Sequence, residues 1–148
     1  MSYQERRALV SILSTIVISV VYFRFMFERM PDASAYSPEM FKYWGTVFVL
    51  LIPVTIVAKI IVTIVFSILN TIATREGEPA FQDERDRLID LKSMRTGFVI
   101  FMIAIVLGIG SLALDMPPTV MFLCFFAGGI ASDVASDVSQ FLLYRRGV

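Results

Sequence analysis

The chain has 148 residues, of which 57% are hydrophobic, and its formal net charge is zero. Its mean hydropathy of +0.75 is too high for an ordinary soluble domain of this size. Histidine is absent, which excludes bis-His haem, His-based zinc or copper sites and a Ser-His-Asp triad. We therefore expect a membrane protein with no cofactor and no nucleic-acid partner.

The first predicted element is an apolar stretch from Ala8 to Phe27, which is long enough to cross ~30 Å of hydrocarbon as a helix. The segment that follows, "FRFMFERMPDAS", carries large side chains where a cleavage site needs small ones. We therefore expect a retained span rather than a signal peptide. A mild polar stripe at four-residue steps lies within this span, formed by Ser11, Thr15 and Ser19.

Three later stretches are also long enough to span a bilayer: Tyr43–Leu69, Gly97–Leu114 and Thr119–Leu143. The first of these exceeds the required length, so it should tilt or bend, and Pro53 is the expected kink. The sequence "LDMPPT" predicts a tight turn between the last two spans. Those two spans should therefore form an antiparallel hairpin.

The segment from Asn70 to Thr96 is the only sizeable predicted loop. From about Phe81 its charges take helical spacing, and Leu88, Leu91 and Met94 form an apolar edge. This pattern predicts an amphipathic helix that leads into the third span.

Lysine and arginine predict the orientation of the spans. Most basic residues lie near the two termini and in the 70–96 segment, whereas the loop between spans one and two carries only Arg29 and Lys42. The predicted fold class is all-α: one domain, 1–148, forming an antiparallel four-helix membrane bundle. Both termini (N-in/C-in) and the amphipathic helix should be cytoplasmic.

Polar side chains recur at four-residue steps inside two predicted spans, so they share helix faces. In span two the stripe is Thr55, Lys59, Thr63 and Ser67; in span four it is Gly129, Asp133, Asp137 and Gln140, with Ser136 beside it. Counted from the cytoplasmic end at 1.5 Å per residue, Lys59 and Asp133 lie at about the same depth, roughly 15 Å. A lone charge in a membrane costs at least ~2.5–3.5 kcal/mol, so we expect Lys59 and Asp133 to pair.

The two stripes contain one lysine and two aspartates, so if Lys59 pairs with Asp133, Asp137 has no assured partner. It could stay protonated, bind a cation, or pair with Arg95 or Arg145 near the inner surface. These alternatives separate two functions. Either the protein is a non-enzymatic accessory or regulatory membrane protein whose buried charges hold the helices in register, or it is a small proton- or cation-coupled transporter or channel. The candidate site for both is the set Lys59, Thr63, Asp133, Ser136, Asp137 and Gln140.

A third function follows from a partial motif. Gly129, Asp133 and Asp137 form G-x-x-x-D-x-x-x-D, which resembles the second half of the signature of CDP-alcohol phosphatidyltransferases. That resemblance implies a metal-dependent membrane transferase with Asp133 and Asp137 as metal ligands. The first half of the signature, D-x-x-D-G-x-x-A-R, is missing from the preceding residues, where only Asp115 is acidic. The other ligands and the substrate-binding arginine therefore have no counterpart.

A second resemblance rests on "DERDRLIDLKSMRTG", Asp83–Gly97. This segment resembles the D-E-R-x-x-x-I segment before span three in a group of small bacterial four-span membrane proteins of unknown function. The likeness implies residence in the bacterial inner (cytoplasmic) membrane. The segment itself is either a solvated charged helix at headgroup level or a surface for a protein partner. The residues predicted for that surface are Asp83, Glu84, Arg85, Asp86 and Asp90.

The short spans enclose little volume, so we also expect a homodimer in the lipid bilayer. Gly128, Ser132 and Ser136 form a ridge of small residues that allows close helix approach. This ridge could lie within the bundle or between two copies.

Overall fold

The computed structural model describes residues 3–74 and 83–146. Within these residues the chain forms four α-helices: α1 Tyr3–Phe27, α2 Pro38–Thr74, α3 Glu84–Ala113 and α4 Pro118–Arg146. All four are long and apolar enough to cross a membrane. The chain is thus an all-helical, multi-pass membrane protein, and its helices extend beyond the predicted spans, most of all where α3 begins at Glu84 instead of Gly97.

The helix ends use local hydrogen bonds that the sequence supplies. The Ser37 hydroxyl accepts a hydrogen bond from the Met40 N–H at 3.2 Å, and Pro38 occupies the first turn of α2, where a missing N–H is harmless. At the start of α3, the Asp83 carboxylate accepts one from the Glu84 N–H at 2.8 Å. Between α3 and α4, Asp115 adopts a positive φ of 58°, which aspartate tolerates better than most residues. The predicted turn is therefore built with Pro118 as the first residue of α4.

Helix α4 lies at the centre of the packing, because α3 packs against it on one side and α1 on another, while α2 packs against α1. The α3–α4 contact is the tightest. A Cβ placed on Gly128 would lie 2.1 Å from the Ala104 Cβ, and one on Gly97 would lie 2.9 Å from the Ser132 carbonyl oxygen. The ridge of Gly128, Ser132 and Ser136 therefore lies within the bundle, against α3.

The hydrophobic core lies at one end of the bundle, where α1 ends and α2 begins. Its buried members are Tyr22, Met40, Trp44, Val47 and Phe126. Trp44 is 2% exposed and stacks on Phe122 with ring centroids 5.5 Å apart. We call this cluster, with Phe122, the aromatic layer; it holds α1, α2 and α4 together at that end.

The charged segment before the third span is part of one unbroken helix, Glu84–Ala113. Its buried positions there are Ile89 and Ser93, whereas the predicted apolar edge of Leu88, Leu91 and Met94 is exposed. The predicted start of this helix near Phe81 lies outside the described residues. The edge that sequence periodicity marks as apolar thus faces away from the other helices.

Candidate functional site: a polar cleft

A cleft of about 250 Å³ lies in the half of the bundle opposite the aromatic layer. It is formed where α1 and α3 begin and where α2 and α4 end, so all four helices contribute to it. We call it the polar cleft. It is lined by Gln4, Arg7, Val10, Ser11, Ser14, Lys59, Val62, Thr63, Phe66, Asp90, Asp137, Gln140 and Tyr144.

The cleft exists because α1 and α2 are in contact towards both ends and leave space between these contacts. At one end the Tyr3 and Phe66 rings lie 5.5 Å apart. Towards the other end the Tyr22 hydroxyl donates to the Val47 carbonyl oxygen. Between these contacts α1 presents small polar side chains such as Ser11 to the cleft. Small side chains cannot bridge the gap, so a cavity remains.

Asp137 is the acidic group of α4 that lines the cleft. The Ser11 hydroxyl donates a hydrogen bond to its Oδ2 at 2.6 Å. Among the described residues, no lysine or arginine lies within salt-bridge distance of Asp137, and Arg95 and Arg145 are both exposed. Its side chain therefore meets a hydroxyl donor and open space in the cleft rather than a basic partner.

Lys59 lines the same cleft from α2, but its ion-pair partner is Asp133, outside the cleft. Its Nζ lies 3.6 Å from Asp133 Oδ2, and the two side chains are 38% and 57% exposed. Asp133 is outside the cleft lining. Lys59 therefore stands between two carboxylates on one face of α4, with Asp137 in the cleft and Asp133 on the outer side.

A further hydrogen bond connects α3 to α4 at the mouth of the cleft, where the Gln140 Nε2 donates to Asp90 Oδ1 at 2.6 Å. Asp86 lies near Tyr144 at the same end. Both aspartates belong to the predicted partner surface, yet both are partly buried against α4. The remaining members of that surface, Asp83, Glu84 and Arg85, are exposed.

Two other predicted site residues have separate positions. Thr63 lines the cleft, but its hydroxyl donates to the Lys59 carbonyl oxygen of its own helix at 2.8 Å. Ser136 is on the α3 side of α4, where its Cβ would be 3.2 Å from a Cβ on Gly97. The polar cleft thus takes in Lys59, Thr63, Asp137 and Gln140 but not Ser136.

The described residues contain no group of three or more His, Cys, Asp or Glu side chains placed to hold a metal ion. Asp133 pairs with Lys59, and Asp137 accepts from Ser11. The arrangement implied by the transferase motif, in which both aspartates share ligands with further carboxylates, is therefore not assembled in this part of the chain. The carboxyl, ammonium and hydroxyl groups that line the cleft are suited to reversible binding of a proton, a cation or a small polar molecule.

Several cleft residues are missing from the predicted site. Ser11 is the clearest of them: it is predicted as part of a mild polar stripe in span one but not as a site residue, and it supplies the hydrogen bond to Asp137. Its depth in the membrane indicates this contact. Ser11 lies eight residues after the start of α1, and Asp137 lies nine residues before the end of α4, so the two have nearly equal depth when the helices are antiparallel. Nothing in the sequence predicts that Arg7 and Tyr144 line the cleft, since both lie near helix ends.

No family model matches this chain, and neither a curated protein nor a solved structure shows significant similarity to it. The resemblance of the Asp83–Gly97 segment to small four-span membrane proteins therefore stays a prediction.

Proposed function

We propose that this chain is a non-enzymatic accessory or regulatory protein of the bacterial inner membrane, and that its polar cleft is a binding site open at one end. The observation that carries the proposal is the division of the bundle into two halves. Charged and hydroxyl side chains line the cleft in one half, and the buried aromatic layer fills the other. A cavity that ends at a packed layer suits binding better than conduction.

The orientation that goes with this proposal places both termini and the start of α3 in the cytoplasm, because basic residues concentrate at that end. The cleft then opens to the cytoplasm. The exposed residues Asp83, Glu84 and Arg85 precede the lining residue Asp90 by about one to two helical turns, and a soluble partner bound to them could sense whether the cleft is filled. This arrangement supports a regulatory role without requiring a reaction.

Cysteine labelling tests the orientation. In a Cys124→Ser background, Asp115→Cys should react with a membrane-impermeant maleimide in intact cells whose outer membrane has been permeabilised. Glu84→Cys should react only after the inner membrane is broken. Both parent residues are exposed, so the difference reports sidedness. The reverse labelling pattern would refute the cytoplasmic cleft.

A flux assay tests the binding function against conduction. The full chain in liposomes should carry no more protons, Na⁺ or K⁺ than empty vesicles, since the aromatic layer blocks the path. Flux that Asp137→Asn abolishes and that Asp115→Asn preserves would overturn the proposal. Asp115 is the matched control because it is an exposed aspartate in the turn at the opposite end.

That positive outcome would favour the second candidate, a proton- or cation-coupled transporter. One observation supports it: Asp137 lines the cleft, and its only hydrogen-bond donor among the described residues is Ser11. A carboxylate in this setting can exchange a proton or cation with the cleft. Transport would also require the aromatic layer to open.

A further inference from the structure

The ion pair between Lys59 and Asp133 lies near the middle of the bundle and is only partly covered. Asp133 is one residue past the midpoint of α4, which runs from Pro118 to Arg146. Lys59 is three residues past the midpoint of α2, Pro38–Thr74. Yet more than half of the Asp133 side chain and over a third of the Lys59 side chain are exposed. A charge pair at mid-membrane depth thus faces outward.

The surface around this pair is open as well. Gly129 lies one helical turn from Asp133 on the same face of α4, and a Cβ placed on it would meet nothing within 4 Å. Helix α3 occupies the neighbouring face, at Gly128 and Ser132, and it does not pack against α2. A groove therefore remains on α4 between α2 and α3, with Asp133 in it. We call it the Asp133 groove.

Contact between this groove and the lipid hydrocarbon is energetically unfavourable. Charged side chains in membrane spans are costly and almost always face protein or water. Lys59 can reach the polar cleft, which it lines, but Asp133 lies outside that cleft. The groove therefore requires a polar contact that residues 3–74 and 83–146 of a single copy do not provide.

We propose that a second copy of this chain covers the Asp133 groove, related to the first by a twofold axis along the membrane normal. All copies insert with the same orientation, and a twofold interface brings the same patch of both copies together. The patch carries one positive and one negative charge, so it is complementary to itself. Lys59 of each copy then faces Asp133 of the other, and the four charges alternate.

The open glycine fits this interface. Small residues let helix backbones approach closely inside membranes, where packing and polar contacts replace the hydrophobic effect as the driving force. Gly129 supplies such a position one turn from the ion pair, while Gly128 and Ser132 on the neighbouring face are already in contact with α3. The proposal goes beyond the polar cleft, because the groove and the cleft are lined by different carboxylates.

Exchanging charges between copies tests the pairing. In a dimer of the Lys59→Asp chain, carboxylates at positions 59 and 133 face each other across the interface. In a dimer of the Asp133→Lys chain, ammonium groups face each other at the same positions. Each chain alone should dimerise about tenfold more weakly than the wild type, the change that 1.4 kcal/mol produces. Co-expressed with different tags, the two variants should form mixed dimers in excess over random pairing.

An excess of mixed dimers distinguishes pairing between two copies from a purely intrachain ion pair. Both variants break the intrachain pair, and co-expression cannot restore it. Equal recovery of mixed and unmixed dimers, or a wild-type chain that stays monomeric in lipid nanodiscs, would overturn the proposal. Neither outcome bears on the cleft, whose test depends on Asp137.

Oxidative cross-linking gives a second test that leaves both charges in place. In a Cys124→Ser background, Gly129→Cys should form a disulfide-linked dimer in native membranes. Val138→Cys is the matched control: it is exposed and lies nine residues along α4, about two and a half turns, so it is on the opposite face. Equal cross-linking at both positions, or cross-linking of Gly129→Cys only to a different protein, contradicts the twofold interface.

Discussion

Two adjacent faces of α4 differ sharply although their sequences repeat with the same spacing. One face carries Gly128 and Ser132, and the other carries Gly129 and Asp133, one residue further along. The first face is packed so closely that a Cβ on Gly128 would overlap Ala104. The second has open space at Gly129 and an exposed ion pair at Asp133. A shift of one residue thus separates a tight helix contact from an open polar surface.

The difference comes from the neighbouring helices rather than from α4 alone. Helix α3 offers Gly97, whose carbonyl oxygen also accepts from the Ser132 hydroxyl at 2.8 Å, so the two backbones can approach closely. Helix α2 instead offers the long side chain of Lys59, which needs room and a counter-charge. We call the face with Gly128 and Ser132 the closed face and the face with Gly129 and Asp133 the open face. The closed face joins α3 to α4, whereas the open face has space beside the ion pair.

The largest expected effect on stability is the difference between alanine substitutions at Gly128 and at Gly129. Gly128→Ala adds a methyl group at a point 2.1 Å from the Ala104 Cβ, so α3 and α4 must separate, and we expect a loss of about 1–3 kcal/mol in the free energy of unfolding. Gly129→Ala adds the same group to open space and should not lower the free energy of unfolding. Thermal unfolding of the dilute monomer in detergent, followed by the fluorescence of Trp44, measures both.

Each alanine gains the same helix propensity over glycine, so the two variants form a matched pair. Equal unfolding midpoints for Gly128→Ala and Gly129→Ala would mean that the α3–α4 contact is looser than the structure has it, and the comparison of the two faces would fail.

The next effect concerns the ion pair of the open face. Lys59→Met leaves Asp133 without its partner and should lower the free energy of unfolding by about 1–2 kcal/mol, reduced from the value for a fully buried pair because both side chains are partly exposed. Lys59→Met combined with Asp133→Leu removes both charges and should recover most of that loss in the monomer. A double variant less stable than Lys59→Met would show that the pair does not act as a unit.

The sequence anticipates much of the architecture. The four helices follow from apolar stretches longer than the hydrocarbon thickness, and the similar depth of Lys59 and Asp133 indicates a contact at which the structure places them 3.6 Å apart. Depth can be counted along a chain because the rise per residue of a helix is constant. When neighbouring helices are antiparallel and joined by short connections, the sequence largely determines which residues have the same depth in the membrane.

The faces of the helices are harder to predict, because rotation about the axis depends on what packs beside each helix. Ser136 shares its polar character with Asp137 but is turned towards α3. Asp86 and Asp90 are predicted as surface charges, yet both are partly buried, and Asp90 accepts a hydrogen bond from Gln140. Trp44 lies near the start of a span, where tryptophan is typical of the membrane interface, but it is buried in the aromatic layer. Tertiary contacts decide each of these cases, and a single sequence does not contain them explicitly.

A smaller effect tests the contact between Ser11 and Asp137. Ser11→Ala removes the hydroxyl that donates to the carboxylate at 2.6 Å, and the expected loss in the free energy of unfolding is about 1 kcal/mol. Ser14→Ala is the control, because Ser14 also lines the cleft but donates to the Ser11 carbonyl oxygen of its own helix. If both variants lower the unfolding midpoint equally, the Ser11 hydroxyl has no special role.

The smallest expected effect lies on the closed face. Ser132→Ala removes a hydrogen bond to the Gly97 carbonyl oxygen and should lower the free energy of unfolding by about 0.6 kcal/mol, the average for interhelical hydrogen bonds in membranes. The loss is small because the close approach of α3 and α4 rests on the missing side chains at Gly97 and Gly128, which the substitution leaves unchanged. Combining Ser132→Ala with Gly128→Ala should then add little to the effect of Gly128→Ala, because helices already forced apart no longer hold the bond. Strict additivity in a double-mutant cycle would show that the hydrogen bond survives separation and that packing and polar contact act independently on this face.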